Sequence, residues 1–228
     1  MKHKIIKKKI HNWSLTLSQK SKVHLPENLE NLKQLLLNFK KKKLNFSIIG
    51  GGNSYGDCFL NKKKNIIDLK RFDKIIKIDF KNRFVILQSG VRLEKILNII
   101  LKKNFILNSL PGTYMATIGG VISSNVHGKD SFKNGVFANN IIELKILNER
   151  NQIIVIKKNS RDLKSYVGAF GLKGVILEAK LKLTKIKGDI LKVKTEKFYS
   201  ISQMTTLFSN YSKNSNYMGA WIDHFSKK

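Results

Sequence analysis

Two stretches rich in glycine and small hydroxyl residues carry the residue types best suited to hold a ligand through the backbone. The first is Gly-Gly-Gly-Asn-Ser-Tyr-Gly-Asp at residues 50–57, directly after an apolar run. The second, residues 111–129, holds four glycines together with serines and threonines. Glycine removes the Cβ that would keep a ligand away from the backbone, and consecutive N–H groups supply donors for an anion. Two such loops in one chain predict an extended anionic ligand, and a dinucleotide fits that description.

Neither stretch matches the common nucleotide-binding motifs. A P-loop requires Gly-Lys followed by Ser or Thr, which is absent from this chain. The Rossmann fingerprint requires a third glycine that opens a helix, but Tyr55 takes that position and residues 57–64 are typical of a loop. Taken alone, three glycines after a strand are often only a turn. A dinucleotide site in this chain must therefore be built without a Rossmann unit.

Apolar periodicity predicts the elements that position these loops. Pro26 opens a helix with leucines at helical spacing, and residues 44–49 form a buried strand that leads into the first glycine loop. Residues 75–79 with 84–88, and residues 141–147 with 153–157, are typical of hairpins. The remaining predicted elements are a strand at 65–69, helices at 91–101 and 201–211, a short helix capped by Ser160, and half-exposed strands at 174–186 and 190–198. Mixed helices and strands of this kind predict an α+β protein.

The charge of the chain is strongly basic, with 44 Lys and Arg against 15 Asp and Glu and a net charge of +29. Such a balance raises the hypothesis of a nucleic-acid or membrane-surface partner. The lysines are spread along the whole chain beside many Asn and Ile residues, as an AT-rich coding sequence would produce. Arginine, which is suited to bidentate phosphate and base contacts, is scarce. Nucleic acid is therefore disfavoured as a partner, and anionic lipid or a phosphorylated substrate is favoured over it.

Cysteine usage and the N-terminus predict the compartment. Cys58 is the only cysteine, which rules out an internal disulfide and favours a reducing compartment. Residues 1–10 are basic without the apolar core of a secretory signal, and no apolar run reaches the roughly 20 residues of a transmembrane helix. We expect a cytoplasmic protein, with peripheral contact at the inner face of the membrane as an alternative. No metal-ligand spacing is found, and we expect no metal.

Three motifs in order carry a resemblance to a known family. The loop at 50–57, the Pro-Gly-Thr to His-Gly-Lys run at 111–129, and Gly-Ala-Phe-Gly-Leu-Lys-Gly-Val-Ile at 168–176 resemble the three flavin segments of the vanillyl-alcohol-oxidase superfamily. The chain is most similar there to decaprenylphosphoryl-β-D-ribose, sugar-alcohol and aldonolactone oxidases. The resemblance implies the PCMH-type FAD-binding fold, an α+β fold of two α/β subdomains with FAD between them.

The resemblance also implies roles for individual residues. In the first loop, backbone N–H groups and the Ser54 hydroxyl would hold the FAD pyrophosphate. The second segment would continue along the pyrophosphate and the ribityl chain, the third would cover the adenine end, and His127 and Lys129 would lie nearest the flavin ring as the catalytic candidates. The implied FAD-binding residues are Gly50, Gly51, Gly52, Asn53, Ser54, Tyr55, Gly56, Pro111, Gly112, Thr113, Thr117, Gly119, Gly120, Ser124, Asn125, His127, Gly174, Val175 and Ile176.

The chemistry implied by the resemblance is oxidation of an alcohol on a sugar or polyol, free, phosphorylated or lipid-linked, with hydride transfer to FAD. Some relatives attach FAD covalently through a histidine in the first glycine loop. Asn53 takes that position here, so non-covalent FAD is expected. Bound flavin carries out the difficult step, and the protein orients it.

The resemblance divides the chain into four parts. These are a basic N-terminal segment (1–15), FAD-binding subdomain 1 (16–110), FAD-binding subdomain 2 (111–198) and the start of a truncated substrate domain (199–228). The last assignment depends on Tyr-Met-Gly-Ala-Trp-Ile-Asp at 217–223, which resembles the start of the family's substrate domain. The rest of the substrate domain is expected on a separate subunit or lost by truncation. Three functions follow: a flavin-dependent oxidoreductase, a non-catalytic flavin-binding subunit, and a basic nucleic-acid or membrane-surface binder.

Overall fold

Two β-sheets and five helices form the framework of the computed structural model, which describes residues 3–61, 65–188, 190–223 and 225. The strands are β1 (Lys4–His11), β2 (Ser18–Leu25), β3 (Ser47–Ile49), β4 (Asn65–Asp68), β5 (Ile75–Asp79), β6 (Phe84–Gln88), β7 (Phe105–Ile106), β8 (Ile141–Asn148), β9 (Ile153–Lys157), β10 (Gly174–Lys182) and β11 (Thr184–Lys185). The α-helices are α1 (Leu29–Lys41), α2 (Leu93–Ile100), α3 (Ile118–Ser123), α4 (Ser131–Asn134) and α5 (Ile201–Ser212). Short 3₁₀ helices lie at Leu101–Lys103, Phe137–Asn140 and Arg161–Ser165.

The first sheet has the strand order β1-β2-β4-β3. Strands β1 and β2 form an antiparallel pair, whereas β2 and β3 both run parallel to β4. Sequence periodicity did not predict the β1–β2 pair. Its first strand, Lys-Ile-Ile-Lys-Lys-Lys-Ile-His, is exposed except at Ile10 and partly at Ile6, so it lacks strict apolar alternation. The central strand β4 is buried at every position.

The second sheet is antiparallel throughout, with the order β5-β6-β10-β8-β9. Both predicted hairpins, β5–β6 and β8–β9, are confirmed. The predicted strand 174–186 ends earlier, because β10 stops at Lys182 and β11 pairs with β7 in a separate two-stranded ladder. Strands β5 and β6 belong to this sheet although they precede residue 110. The subdomain boundary near residue 110 stays a prediction.

Capping decides where the first helix begins. The predicted start at Pro26 is wrong by a few residues, because Asn28 is extended and its side chain accepts a hydrogen bond from the Asn31 N–H at 2.9 Å. An N-cap of this type satisfies one of the unpaired N–H groups of the first turn. The predicted Ser160 cap is confirmed, because its hydroxyl accepts from the Asp162 N–H at 3.2 Å.

Three apolar clusters hold these elements together. The largest packs α2 and α3 on the second sheet around Leu87, Ile96, Ile122 and Ala179, all of which are at most 1% exposed. A second cluster joins α1 to β4 and to the β8 and β10 strands, and a third fills the other face of the first sheet. Burying a single side chain of this size stabilises the fold by about 1.5–3 kcal/mol. Helix α1 therefore packs against strands of both sheets and joins them.

The C-terminal part differs from the prediction. The predicted strand 190–198 does not form, since the residues there belong to no helix or strand and pair with no sheet. Apolar alternation alone is insufficient, because a strand also needs a neighbour to accept its hydrogen bonds. Helix α5 is confirmed at 201–212, but it has no buried residue. Among the described residues, no helix is long and apolar enough to span a membrane.

Candidate functional site

A cleft forms where the ends of the two sheets face each other, and it contains about 920 Å³ of empty space including the part open to solvent. Five stretches of the chain build it, within residues 48–59, at 69, at 89, and within 111–126 and 170–176, and three of these contain glycines. The lining residues are Ile48, Ile49, Gly50, Gly51, Gly52, Asn53, Ser54, Cys58, Phe59, Leu69, Ser89, Pro111, Thr113, Ala116, Thr117, Gly119, Gly120, Val121, Ser123, Ser124, Val126, Phe170, Gly171, Gly174 and Ile176. None of these carries a charged side chain. Any anion in the cleft must therefore be held by backbone N–H and hydroxyl groups.

The first glycine loop approaches the second segment at van der Waals distance. A Cβ on Gly51 would lie 2.6 Å from the Met115 carbonyl oxygen, and a Cβ on Gly50 would collide with Thr117 Oγ1. Gly52 has a different requirement, because its φ of +70° lies in the left-handed region. The loop therefore needs glycine for close approach at two positions and for backbone conformation at a third.

The N–H groups of this loop are not used by the protein. Within the described part of the chain, no acceptor takes a hydrogen bond from the backbone N–H groups of residues 51–56. The carbonyl groups of the loop are held instead. The Trp13 N–H donates to the Ser54 carbonyl at 2.9 Å, and the buried Asn12 side chain donates to the Tyr55 carbonyl at 2.6 Å. The hairpin β1–β2 thus fixes the loop from its carbonyl side and leaves its donors free for an anion.

The second segment uses its N–H groups for packing. At the start of α3, the Ile118 N–H donates to the Val91 carbonyl at 2.8 Å and the Gly119 N–H to the Ser89 carbonyl at 2.7 Å. Gly120 donates to the Thr117 hydroxyl, which caps the helix at 3.3 Å. The glycines of α3 therefore allow the helix to pack closely against Ser89 and Thr117. Hydrogen-bond donors at this side of the cleft are hydroxyl groups.

The third segment forms the outer wall. Phe170 and Gly171 have left-handed φ angles of 49° and 80°, and the Phe170 N–H donates to the Ser123 carbonyl at 3.1 Å. This turn brings the half-exposed Phe170 ring to the cleft. Along β10, Ile176 lines the cleft, whereas Val175 belongs to the cluster around α1. Neighbouring residues of a strand face opposite sides, which accounts for the difference.

Residues 21–157, more than half of the chain, match the family described as the FAD binding domain. The chain belongs to this family. The chain is 29% identical over 182 residues to decaprenylphosphoryl-β-D-ribose oxidase of Mycolicibacterium smegmatis, and the match covers 78% of this chain and 40% of that protein. It is 24% identical over 153 residues to bovine (Bos taurus) L-gulonolactone oxidase, with 67% of this chain and 34% of the relative covered. The resemblance inferred from the three motifs is thereby confirmed.

A solved structure shows the same fold. A structure of alkyldihydroxyacetonephosphate synthase superposes with a TM-score of 0.65 at 19% identity, covering 73% of this chain and 32% of that one. The FAD-binding domain thus spans at most about two fifths of these proteins. The α+β PCMH-type fold is confirmed, and the cofactor is FAD.

The hydrogen-bond donors of the cleft, and two buried polar atoms in its lining, suit this cofactor. FAD carries a pyrophosphate, which presents acceptors, and ribityl and ribose hydroxyl groups, which present both donors and acceptors. The N–H groups of residues 51–54, which line the cleft and have no acceptor among the described residues, suit the pyrophosphate. Two buried atoms that line the cleft, Asn53 Oδ1 and Ser89 Oγ, have no hydrogen-bond partner among the described residues. Buried polar atoms are nearly always paired, so both indicate a ligand that brings hydrogen-bonding groups.

Most of the predicted cofactor residues come together in the cleft. Those that line it are Gly50, Gly51, Gly52, Asn53, Ser54, Pro111, Thr113, Thr117, Gly119, Gly120, Ser124, Gly174 and Ile176. Those outside the lining are Tyr55, Gly56, Gly112, Asn125, His127 and Val175. Tyr55 is 74% exposed, and the Asn125 side chain accepts from the Ala138 N–H at 3.2 Å, so it supports a neighbouring turn. Their roles in FAD binding stay predictions.

The two catalytic candidates lie at the end of the second segment and are exposed. His127 pairs with Val136 in an isolated β-bridge. Lys129 contacts the C-terminal region, because its carbonyl accepts from the Met218 N–H at 2.8 Å. Burial, with the nearby Asp130 carboxylate, raises the pKa of Tyr217 beside them, so this phenol stays protonated at neutral pH.

Several lining residues were missed by sequence reasoning. Ser89 follows β6 and carries no motif, and Cys58 and Phe59 lie in the stretch interpreted only as a loop. Phe170 was inside the third motif but was given no role. The described residues contain no group of three or more His, Cys, Asp or Glu side chains that could hold a metal ion.

Proposed function

We propose that this chain is the FAD-binding part of an oxidoreductase that oxidises an alcohol group of a sugar, a polyol or a polyprenyl-phosphate sugar. The observation that carries the proposal is the uncharged cleft built from three glycine-containing segments, with free N–H groups on one side and hydroxyl groups on the other. The relatives support the substrate class, since their names are those of oxidases of a decaprenylphosphoryl ribose and of a sugar lactone.

The residues of this chain bind and orient the cofactor. Bound FAD supplies a two-electron acceptor for hydride removed from the substrate carbon. The N–H groups of residues 51–54, which line the cleft, would hold its pyrophosphate, and Ile49, Phe59 and Ile176 form apolar walls that exclude water. Preorganised backbone dipoles of this kind bind an anion without a buried cation.

Substrate binding requires groups beyond the cleft. His127 and Lys129 are exposed and lie outside the cleft lining, which gives them access to a substrate but leaves them without a walled pocket. We propose that further polypeptide, attached or separate, covers this side. The Met218 N–H donates to the Lys129 carbonyl, and large apolar side chains are exposed in this C-terminal part of the chain, such as Val193 at 80% and Trp221 at 88%. They support a covering partner.

The proposal is tested by spectroscopy and by anaerobic flavin reduction. Purified protein should show the absorbance of bound oxidised flavin, and sugar alcohols or aldonolactones should bleach it. With the 228-residue chain alone we expect slow reduction, below about 1 per second, which is the low end of ordinary enzyme turnover. Fusion to the C-terminal part of a relative should raise the rate. Bound flavin that no alcohol reduces, even in the fusion, would favour the second candidate, a non-catalytic flavin-binding subunit.

We also propose peripheral contact with anionic membrane, in a cytoplasmic protein. The edge strand β1 exposes Lys4, Lys7, Lys8 and Lys9, and each lysine near an anionic surface contributes about 1 kcal/mol. Flotation with vesicles rich in phosphatidylserine should carry the protein upward, and replacing these lysines with glutamine should abolish it. Binding to DNA or RNA that survives at the same salt concentration, without vesicle binding, would contradict the proposal.

A further inference from the structure

Ser89 is a buried hydroxyl residue at the floor of the cleft, and it is 2% exposed. Its Oγ has no hydrogen-bond partner among the residues that the structure describes. It is one of the most deeply buried polar residues that line the cleft. A buried hydroxyl without a partner loses its bonds to water and gains none in return, which is unfavourable. Ser89 therefore needs a partner that the described part of the chain does not supply.

The backbone around Ser89 is fixed. Its N–H donates to the Leu177 carbonyl at 2.9 Å, and its carbonyl accepts from the Gly119 N–H at 2.7 Å. Helix α3 lies directly against it, since a Cβ on Gly119 would be 2.9 Å from Ser89 Cβ. The backbone of Ser89 is therefore held in place on two sides, and the residue is among those that line the cleft.

The surroundings indicate what kind of ligand group the hydroxyl meets. Gly119 contacts Ser89, Gly120 contacts Thr117, and Thr117 contacts Gly50 at the start of the first glycine loop. Ser89 therefore lies against the helix that Thr117 caps, and Thr117 in turn adjoins the loop whose N–H groups have no acceptor among the described residues. A ligand group surrounded by donors must present acceptors. A diphosphate presents acceptor oxygens only, and a charged acceptor strengthens the hydrogen bond.

We propose that the Ser89 hydroxyl donates a hydrogen bond to the pyrophosphate of FAD and that this bond supplies the partner missing in the apoprotein. The inference rests on FAD as the cofactor and names a residue outside the three glycine-containing motifs. It gives the Ser89 hydroxyl different effects in the FAD-bound protein and in the apoprotein. The hydroxyl strengthens cofactor binding, and it contributes nothing to the stability of the apoprotein.

The test is a pair of measurements on Ser89→Ala, made on the full chain. The FAD dissociation constant, from quenching of flavin fluorescence, should rise about tenfold, equivalent to about 1.4 kcal/mol. The melting temperature of the apoprotein should be unchanged or higher, because the substitution removes an unpaired buried hydroxyl. ADP, which keeps the diphosphate, should show the same loss, whereas riboflavin, which lacks it, should bind both proteins equally.

Two further variants keep the test decisive. Ser21→Ala removes a buried hydroxyl on β2 that accepts from Gln19 Nε2 at 2.9 Å, and it should leave FAD affinity unchanged. Ser89→Cys keeps the size of the side chain but donates weakly, so it should bind FAD as weakly as Ser89→Ala and replaces it if that variant fails to fold. Unchanged FAD affinity in both Ser89 variants would overturn the proposal. A loss seen with riboflavin and not with ADP would overturn the pyrophosphate assignment while leaving FAD binding itself intact.

Discussion

The contact between the first glycine loop and the second segment can be tested by adding one methyl group. In Gly51→Ala, the new Cβ would lie 2.6 Å from the Met115 carbonyl oxygen and 3.3 Å from Ala116 Cα. Both are backbone atoms, so no side-chain rotation relieves the clash. Ordinary van der Waals contact begins near 3.4 Å, and one of the two segments must therefore move away from the other. In the variant, the first glycine loop and the second segment would therefore move apart beside the N–H donors of the loop.

The cost follows from the size of that movement. Overpacking by a methyl group in a closely packed site typically costs about 1–3 kcal/mol. For a domain of this size each kcal/mol lowers the melting temperature by about 2–4 °C, so we expect a decrease of about 2–12 °C in the apoprotein. FAD affinity should fall by about tenfold or more, because displaced donors no longer meet the same ligand.

The matched control is Gly188→Ala outside the cleft lining, where an added Cβ would meet no atom within 4 Å. It should leave the melting temperature and the FAD dissociation constant unchanged. Calorimetry of both apoproteins and a fluorescence titration with FAD provide the comparison. If Gly51→Ala behaves like its control in both assays, the close approach of the two segments is not needed, and the argument built on it fails.

Four other outcomes are expected. Gly52→Val should weaken FAD binding about tenfold, mainly because a β-branched residue must adopt the φ of +70°, and unchanged affinity would mean that the loop is only a turn. Acid precipitation of the holoprotein should release all flavin into the supernatant, since FAD is expected to be non-covalent, and yellow colour in the pellet would contradict this. Cys58, the only cysteine, lines the cleft, so saturating FAD should slow its alkylation by iodoacetamide at least about tenfold, as occupancy by mass action requires. Burial lowers the pKa of His24, so the stabilisation that the neutral His24 ring provides is complete above about pH 6.5 and declines below it. When the pH is lowered from about 7.5 to 5, the melting temperature should therefore fall less in His24→Gln than in the natural sequence.

The glycine motifs could be found from sequence because their physical requirement is local. A backbone that must approach another backbone, or adopt a left-handed φ, excludes most side chains at that position. Gly50, Gly51 and Gly52 meet one or the other condition in the structure. The hairpins β5–β6 and β8–β9 were predictable for a similar reason, since alternation and turn residues occur within a short stretch of chain.

The β1–β2 pair could not be predicted in the same way. Strand β1 is exposed at Lys7, Lys8 and Lys9, and its stability comes from pairing with β2, which in turn pairs with β4 some 40 residues later in the chain. The strand predicted at 190–198 shows the reverse case. Its alternation is clearer than that of β1, yet it forms no ladder among the described residues. Pairing partners at long sequence distance decide both outcomes, and periodicity does not reveal them.

Ser89 shows why part of the site was also beyond reach. A serine at the end of a strand is unremarkable in a sequence, and nothing in Gln-Ser-Gly-Val distinguishes a paired hydroxyl from an unpaired one. Its significance arises only when α3 packs against it and leaves its hydroxyl buried, without a partner among the described residues, in the lining of the cleft. Motifs therefore identify the residues whose backbone binds the cofactor, because those positions restrict the amino-acid type. Residues that bind through an ordinary side chain become visible only from burial and from the absence of a partner, and for them the structure is the necessary observation.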